Sequence, residues 1–409
     1  MPKAFWRSPI FVLVCATTII LLAYGGRQSF GMFLRPVSTG LGWGNDITVM
    51  SLATGLQSLV YGLATPFVGA IADRWGPIKV LVVSGIVYAA GLFMMAHSVT
   101  PEGLIVSVAF VVGLGSSGVA LPMLLSVASR VAPPERRGLW LGIVTSGGTA
   151  GQMLVVPFSH GMIASWGWAT AALVLGAMVA MIVPLSLAIA RSSNRALARK
   201  DKQSLGQAVS EARRHRGFWL LTLGFFVCGF QVQFINNHLE SYLRDTTVDP
   251  AMAATAISLI GLFNMIGTWC AGAMGERFSK KYLLANIYML RSLVFLAFFL
   301  VPVSKGSIIV FACAVGLLWL ATVPLTSGIV VQIFGPRYLA TLYGVVFLSH
   351  QIGSFASVSL GGYIRTHLGS YDAAWWMVII AGFVAALLHW PIDDKPVARV
   401  AAEQAAAKA

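Results

Sequence analysis

Twelve apolar runs, each close to the roughly 20 residues that a helix needs to cross a bilayer, dominate this 409-residue chain. They fall at about 8–33, 48–72, 77–97, 103–130, 138–161, 166–190, 217–243, 252–275, 282–302, 307–331, 341–364 and 371–391. In lipid only helices and closed barrels satisfy their own backbone groups, and runs of this length without strict alternation select helices. Hydrophobic residues make up 57% of the chain and charged ones 10%, against roughly 25% charged in a soluble domain. The fold class is therefore all-α, a polytopic membrane protein. The first run is too long for a signal peptide and lacks a small-residue cleavage site, so it reads as a helix.

The twelve helices are one set of six made twice. Gly26-Arg27-Gln28 returns as Gly229-Phe230-Gln231, Gly69 to Arg74 returns as Gly272 to Arg277, and Gly113 returns as Gly316, each pair 203 positions apart. Pro122 with Pro324 and Gly142 with Gly344 are 202 apart, so the register slips once and then holds. Two pseudo-symmetric six-helix bundles follow, 1–190 and 217–391, joined by a polar linker at 191–216 and followed by a tail at 392–409. Such duplication in a membrane protein suggests two halves rocking about a substrate site. Transport is the leading function. Within the linker, Ser204 to Arg214 spells either a short amphipathic helix at the membrane surface or a solvated tether, and the Ala-rich tail is expected to be disordered.

A net charge of +14 would suit nucleic acid if the basic residues formed one patch. They follow alternate loops instead. The inner segments hold most of them, from Lys3 and Arg7 through Arg130, Arg136 and Arg199 to Lys408, whereas the outer segments hold Arg35, Arg244, Lys305 and Arg365. This is the positive-inside bias, with both termini cytoplasmic, in a plasma membrane and by preference a bacterial inner one. A nucleic-acid partner is excluded. Cys15, Cys228, Cys270 and Cys313 stand singly inside apolar runs, so they read as packing residues, with neither a disulfide framework nor a soft-metal site. The Gly113 to Gly118 run lies inside a membrane helix with no strand before it, so neither ATP nor any cofactor is implied. No nucleophile–base or metal constellation points to an enzyme.

Polar groups at membrane depth are costly and usually face a cavity or another helix. Here they include Arg27 in the outer half of the first helix, Arg291 near the middle of the ninth and His350 near the middle of the eleventh. No Asp or Glu occupies a helix centre, Glu240 being the deepest. A cavity with an arginine and no acid suits an anion, whose carboxylate takes a charge-assisted hydrogen bond from guanidinium. Tyr24, Arg27 and Gln28 on the first helix, Gln231 and Asn237 on the seventh, Asn264 on the eighth and His350 are the candidate substrate contacts. Arg27 could instead snorkel to the outer headgroups, the amides could tie neighbouring helices together, and Arg291 is equally compatible with structural pairing. His350 is the proton-coupling candidate by elimination, since imidazole ordinarily titrates between pH 5 and 8; a satisfied structural donor is the other reading.

Gly69-Ala70-Ile71-Ala72-Asp73-Arg74-Trp75-Gly76-Pro77-Ile78-Lys79 falls in the short turn between the second and third helices, with a degenerate copy from Gly272 to Lys281. Glycines there permit tight turning and close helix approach. The pattern resembles the loop signature of the major facilitator superfamily. That resemblance implies the twelve-helix fold of the family and a conformational gate at Gly69, Asp73, Arg74 and Gly76. Asp73 would latch the halves near the end of the fourth or eleventh helix, joined by Arg136 or Glu135, although Asp73 and Arg74 could merely cap helices and orient the chain. It further implies that the first helix of each repeat lines the cavity, so that Gln28 and Gln231 face each other across the pseudo-twofold axis. Gly147, Gly148, Gly151, Pro157 and Gly161 loosely resemble an antiporter pattern with imperfect spacing, and mark a flexible, closely packed fifth helix.

Gly26 to Pro36, Gly113 to Gly118 with Pro122, and His350 resemble the monocarboxylate porter and oxalate-formate antiporter branch over nearly the whole chain. The resemblance implies a monomeric secondary active transporter of a small organic anion, a monocarboxylate, working by alternating access with proton symport or anion exchange. Some members of that branch carry ionisable residues in the eighth helix where this chain has Asn264 and Thr268. Positive charge for the substrate would then have to come from Arg27 or His350. An exporter of a drug, toxic compound or oxyanion and a non-transporting membrane sensor are the alternatives.

Overall fold

The computed structural model describes residues 8–44, 48–197, 203–244, 246 and 251–406. Among them, eleven helical segments are long and apolar enough to cross a membrane. One of these, Pro134–Ala190, has 57 residues, a length of roughly 85 Å at a helical rise against a hydrocarbon core of about 30 Å. It turns at Gly167, whose φ of +79° is strained for any residue with a Cβ. The segment is therefore two spans, and the twelve expected crossings are present.

In order these are the first span, Pro9–Gln28 continued by Phe30–Gly40, then Thr48–Trp75, Pro77–His97 and Pro101–Val131, followed by the fifth and sixth on either side of Gly167. The second set is Arg216–Arg244, Ala251–Arg277, Lys280–Leu300, a tenth span of Lys305–Leu318 and Thr322–Phe334, Leu339–Leu368 and Asp372–His389. Local chemistry sets several starts. Ser8 and Thr100 accept capping bonds ahead of Pro9 and Pro101, and Ser304 with Ser307 forms a capping box, so orphan N–H groups are answered where prolines pre-set the backbone.

The fourth and tenth spans are cut at matching places, and the first of these cuts interrupts the membrane helix expected around Gly113 to Gly118. The fourth is π-helical over Ile105–Val112, runs through Gly113–Ser117, and restarts at Leu121. The tenth stops at Leu318 and restarts at Thr322. Each restart carries a proline in its first turn, Pro122 and Pro324, the pair found 202 positions apart. Proline is tolerated there because that N–H lacks an intrahelical partner anyway.

Contacts divide the chain into two compact units, Met1–Ala132 with Val144–Leu205 and Arg337–Gly344, and Pro133–Ile143 with Gly206–Pro336 and Val345–Ala409. In the first unit the sixth span packs on the first and third, and the fourth on the second and third. In the second unit the twelfth packs on the seventh and ninth, and the tenth on the eighth and ninth. The duplication in sequence is thus a duplication in packing.

Part of the linker is the helix Leu205–Arg214, with Ala208 and Ala212 buried, so this stretch is not a solvated tether. The tail departs from the expected disorder. Ile392 and Val400 are buried, Lys281 donates to the Ile392 carbonyl at 2.7 Å, Arg399 donates to that of Phe334 at 2.9 Å, and Ala398–Ala406 is a helix. Alanine favours helix, and these polar anchors dock the segment. Positions 198–202 and 407–409 lie outside the described residues, as do Lys3, Arg7, Arg199, Lys200, Lys202 and Lys408 and the side chains of Arg191, Arg195, Glu240 and Arg244.

Candidate functional site

In the first unit the chemistry gathers where the first span is interrupted. Ser29 separates its two halves, its hydroxyl bonded to the Gly25 carbonyl at 2.9 Å and to Ser159 at 3.0 Å. Two residues earlier, half-buried Arg27 lays its guanidinium 4.1 Å over the ring of Tyr61 and donates to Ser58 Oγ at 3.3 Å. Its Nε is buried without a hydrogen bond, and it has no ion pair among the described residues. Cation–π contacts contribute about 2 kcal/mol when desolvated, which holds the cation in place of an acid. Arg27 is therefore turned onto the second span and does not snorkel outward. Tyr24 is half-buried, its ring lying where a Cβ at Gly148 would meet it, and Gln28 is half-buried next to Arg27 in the chain.

In the second unit two of the expected substrate contacts, Gln231 and Asn264, bond to groups of the protein itself. Arg291, fully buried, donates to the carbonyls of Leu318 and Trp319. Asn264 accepts from Leu320 N–H at 2.9 Å. The break in the tenth span leaves backbone groups without helical partners, and these side chains supply them. Gln231 is likewise fully buried, donating to the Val378 carbonyl at 3.0 Å and accepting from Arg291 at 3.4 Å. Gln231 thus ties three spans of its own unit together. Asn237 is exposed and donates to the Gln233 carbonyl one turn back at 2.9 Å.

His350 is half-buried. Its ring stacks on Phe347, lies 5.1 Å from that of Phe225, and makes long contacts to Gln351 at 3.4 Å and Ser354 at 3.5 Å.

The residues expected to form a gate separate into those that meet and those that do not. Asp73 Oδ1 pairs with Arg130 at 2.6 Å, and Oδ2 accepts from Thr341 N–H and Oγ1, each at 2.8 Å. It thus joins the end of the fourth span and the start of the eleventh, both within the first unit. Gly69 allows this approach, because a Cβ there would strike the Ala340 backbone. Gly76 starts the third span at φ +100°. Arg74 is exposed over Trp75, and Arg136 is exposed as well. Arg130 occupies the place expected for Arg136; in the sequence it was one basic residue among many.

Two repeats of six spans with interrupted helices are the architecture of a secondary transporter. The Major Facilitator Superfamily model matches residues 16–358, and the chain belongs to that family. It is a multi-pass membrane transporter of small molecules. It is 22% identical to monocarboxylate transporter 13 of Rattus norvegicus over 88% of this chain and 82% of that one. It is also 22% identical to the oxalate:formate antiporter of Oxalobacter formigenes over 92% and 89%. The structure of the E. coli fucose:proton symporter FucP matches with a TM-score of 0.73 at 14% identity, covering 94% and 98%.

Proposed function

We propose that this transporter moves a small organic anion, a monocarboxylate, by alternating access coupled to proton symport or anion exchange. The observation that carries this is Arg27: a half-buried cation on an aromatic face, with no ion pair among the described residues and one N–H unused. A carboxylate completes such a group through charge-assisted hydrogen bonds. Tyr24, Gln28 and Ser58 supply neighbouring polar groups. His350, held only by long contacts, is the proton-carrying candidate. The resemblance to a monocarboxylate transporter and an oxalate:formate antiporter supports the same substrate class. Asp73 with Arg130 and Thr341 forms part of the gate, and the basic bias supports cytoplasmic termini in a bacterial inner membrane.

Uptake of labelled carboxylates into proteoliposomes, with an inward proton gradient or with preloaded anion, tests this. Saturable uptake driven by protons indicates symport, and acceleration only by internal anion indicates exchange. Absence of uptake across the panel by correctly inserted protein overturns the reading.

A further inference from the structure

The first and fifth spans pack closely as far as Ser29 and part beyond it. A Cβ at Gly147 would strike Thr17, one at Gly151 the Leu21 carbonyl, and one at Gly25 the Gly151 carbonyl. Ser159 then bonds Ser29 at 3.0 Å. Past that bond the contact ends, for a Cβ at Gly31 or at Gly161 would meet nothing within 4 Å. A cavity of about 510 Å³ opens there, with Gly31, Leu34, Arg35 and Pro36 of the first span and His160 and Ile163 of the fifth among its walls.

Arg35 and His160 are exposed, and among the described residues neither side chain has a hydrogen bond or an ion pair. Other exposed imidazoles turn back onto their own helices: His97 bonds the Phe93 carbonyl at 2.8 Å, and His367 bonds that of Tyr363 at 3.0 Å. His160 makes no such bond and lines the cavity instead. Among the described residues no acidic side chain lines it. Leu34, Pro36 and Ile163 add apolar surface, so the walls combine a few polar groups with a mostly apolar lining, the usual form of a small-molecule site. A guanidinium presents a planar fork to an oxyanion, and such charge-assisted bonds are stronger than neutral ones. The chemistry that fits is an oxyanion on a short apolar body. Arg35 stands eight positions beyond Arg27 on the same span, roughly 12 Å along a helix.

We propose that this cavity is a receiving site for the carboxylate cargo, which Arg35 and His160 hold before it passes to Arg27. It lies at the end of the first span away from the N-terminus, the outer end in the topology proposed above. This rests on the reading of the cargo as a small organic anion.

The test is the rate at which diethyl pyrocarbonate modifies His160 in the full-length protein in phospholipid-free detergent, read by peptide mass with His97 as the reference in the same molecule. Acetate, propionate and butyrate are added in turn, with propionamide as the neutral control. A carboxylate at about twice its Kd should slow modification of His160 roughly threefold and leave His97 unaltered, and propionamide should slow neither. Arg35→Gln should remove the protection. Its uptake KM should rise roughly threefold or more with kcat little changed, because cations lining a cleft concentrate anions there. Arg35→Met serves if the glutamine variant does not fold. No protection by any carboxylate overturns the proposal: where wild-type uptake is intact the anion reading stands, and where uptake is absent both fall. Equal protection by propionamide, or protection that persists in the Arg35 variant, also overturns it. Protection by added phosphatidylglycerol and by no carboxylate would assign the oxyanion to a lipid headgroup and overturn the cargo site.

Discussion

Asp73 and Glu276 hold equivalent places in the two repeats, and each carboxylate accepts a backbone N–H near the start of another helix, from Thr341 at 2.8 Å and from Leu139 at 2.9 Å. The acceptors stand 203 positions apart and the donors 202. Both pairs place a negative group against the positive end of a helix. Their surroundings differ. Asp73 is buried and also neutralises Arg130, whose side chain is 10% exposed, whereas Glu276 is exposed.

That difference sets unequal costs for neutralising them. Asp73→Asn strands a buried guanidinium and should destabilise by about 3–5 kcal/mol, with uptake falling alongside. Glu276→Gln keeps an acceptor in an exposed setting and should cost at most about 1 kcal/mol. Thermal unfolding of both in detergent compares them directly, and equal losses would show that the Arg130 pair is not the source of the difference.

Arg27→Lys keeps the charge and loses the planar fork and its hold on the Tyr61 face. Losing a hydrogen bond to a charged group is worth about 1.5–3 kcal/mol, so carboxylate uptake should fall roughly tenfold or more while the melting temperature changes little. Wild-type KM in this variant would remove Arg27 from substrate contact.

Gly138 and Gly272 touch backbone to backbone, since a Cβ on either would strike the other's carbonyl, while nothing lies near a Cβ at Gly161. Gly138→Ala should therefore destabilise by about 1–3 kcal/mol through overpacking. Gly161→Ala should be neutral or stabilise by up to about 1 kcal/mol, as expected in a helix interior. Parallel melts of the two variants check the contrast.

His215, just ahead of the seventh span, packs edge-on against Phe334 at 5.4 Å. Burial holds its pKa below the ordinary histidine value, opposed by Asp393 and Glu211. The neutral ring is the folded form, so its stabilisation is fully present above about pH 6.5 and is lost as pH falls through the lower folded value. Melting temperature should decline on that acid limb, and His215→Phe should flatten it. An unaltered acid limb in the variant would assign the decline to another group.

The twelve spans and the duplication were legible because each follows from local rules: span length and a repeated loop. Roles at membrane depth were harder to read. Asn264 and Arg291 are polar in the sequence for the same reason a binding residue would be, and only the break at Trp319 to Ala321 shows what they satisfy. Pro122 and Pro324, matched in the repeat, were the available signal for that break. Arg130 was hidden because a basic residue at a helix end looks the same whether it orients the chain or pairs with a carboxylate. The tail misled through composition, since alanine suits a docked helix as well as a loose end.

Cutting a membrane helix in two lays bare amide and carbonyl groups in a medium that offers them no water. In the tenth span Asn264 and Arg291 answer Leu320, Leu318 and Trp319. Part of the polarity buried in this carrier is thus the upkeep of its own severed backbone. In the reading proposed above, what is offered to cargo includes a guanidinium with one idle N–H and an imidazole held by long contacts. Specificity inferred from a census of buried polar residues would mistake scaffolding for recognition, and any redesign for a new anion should leave the former alone.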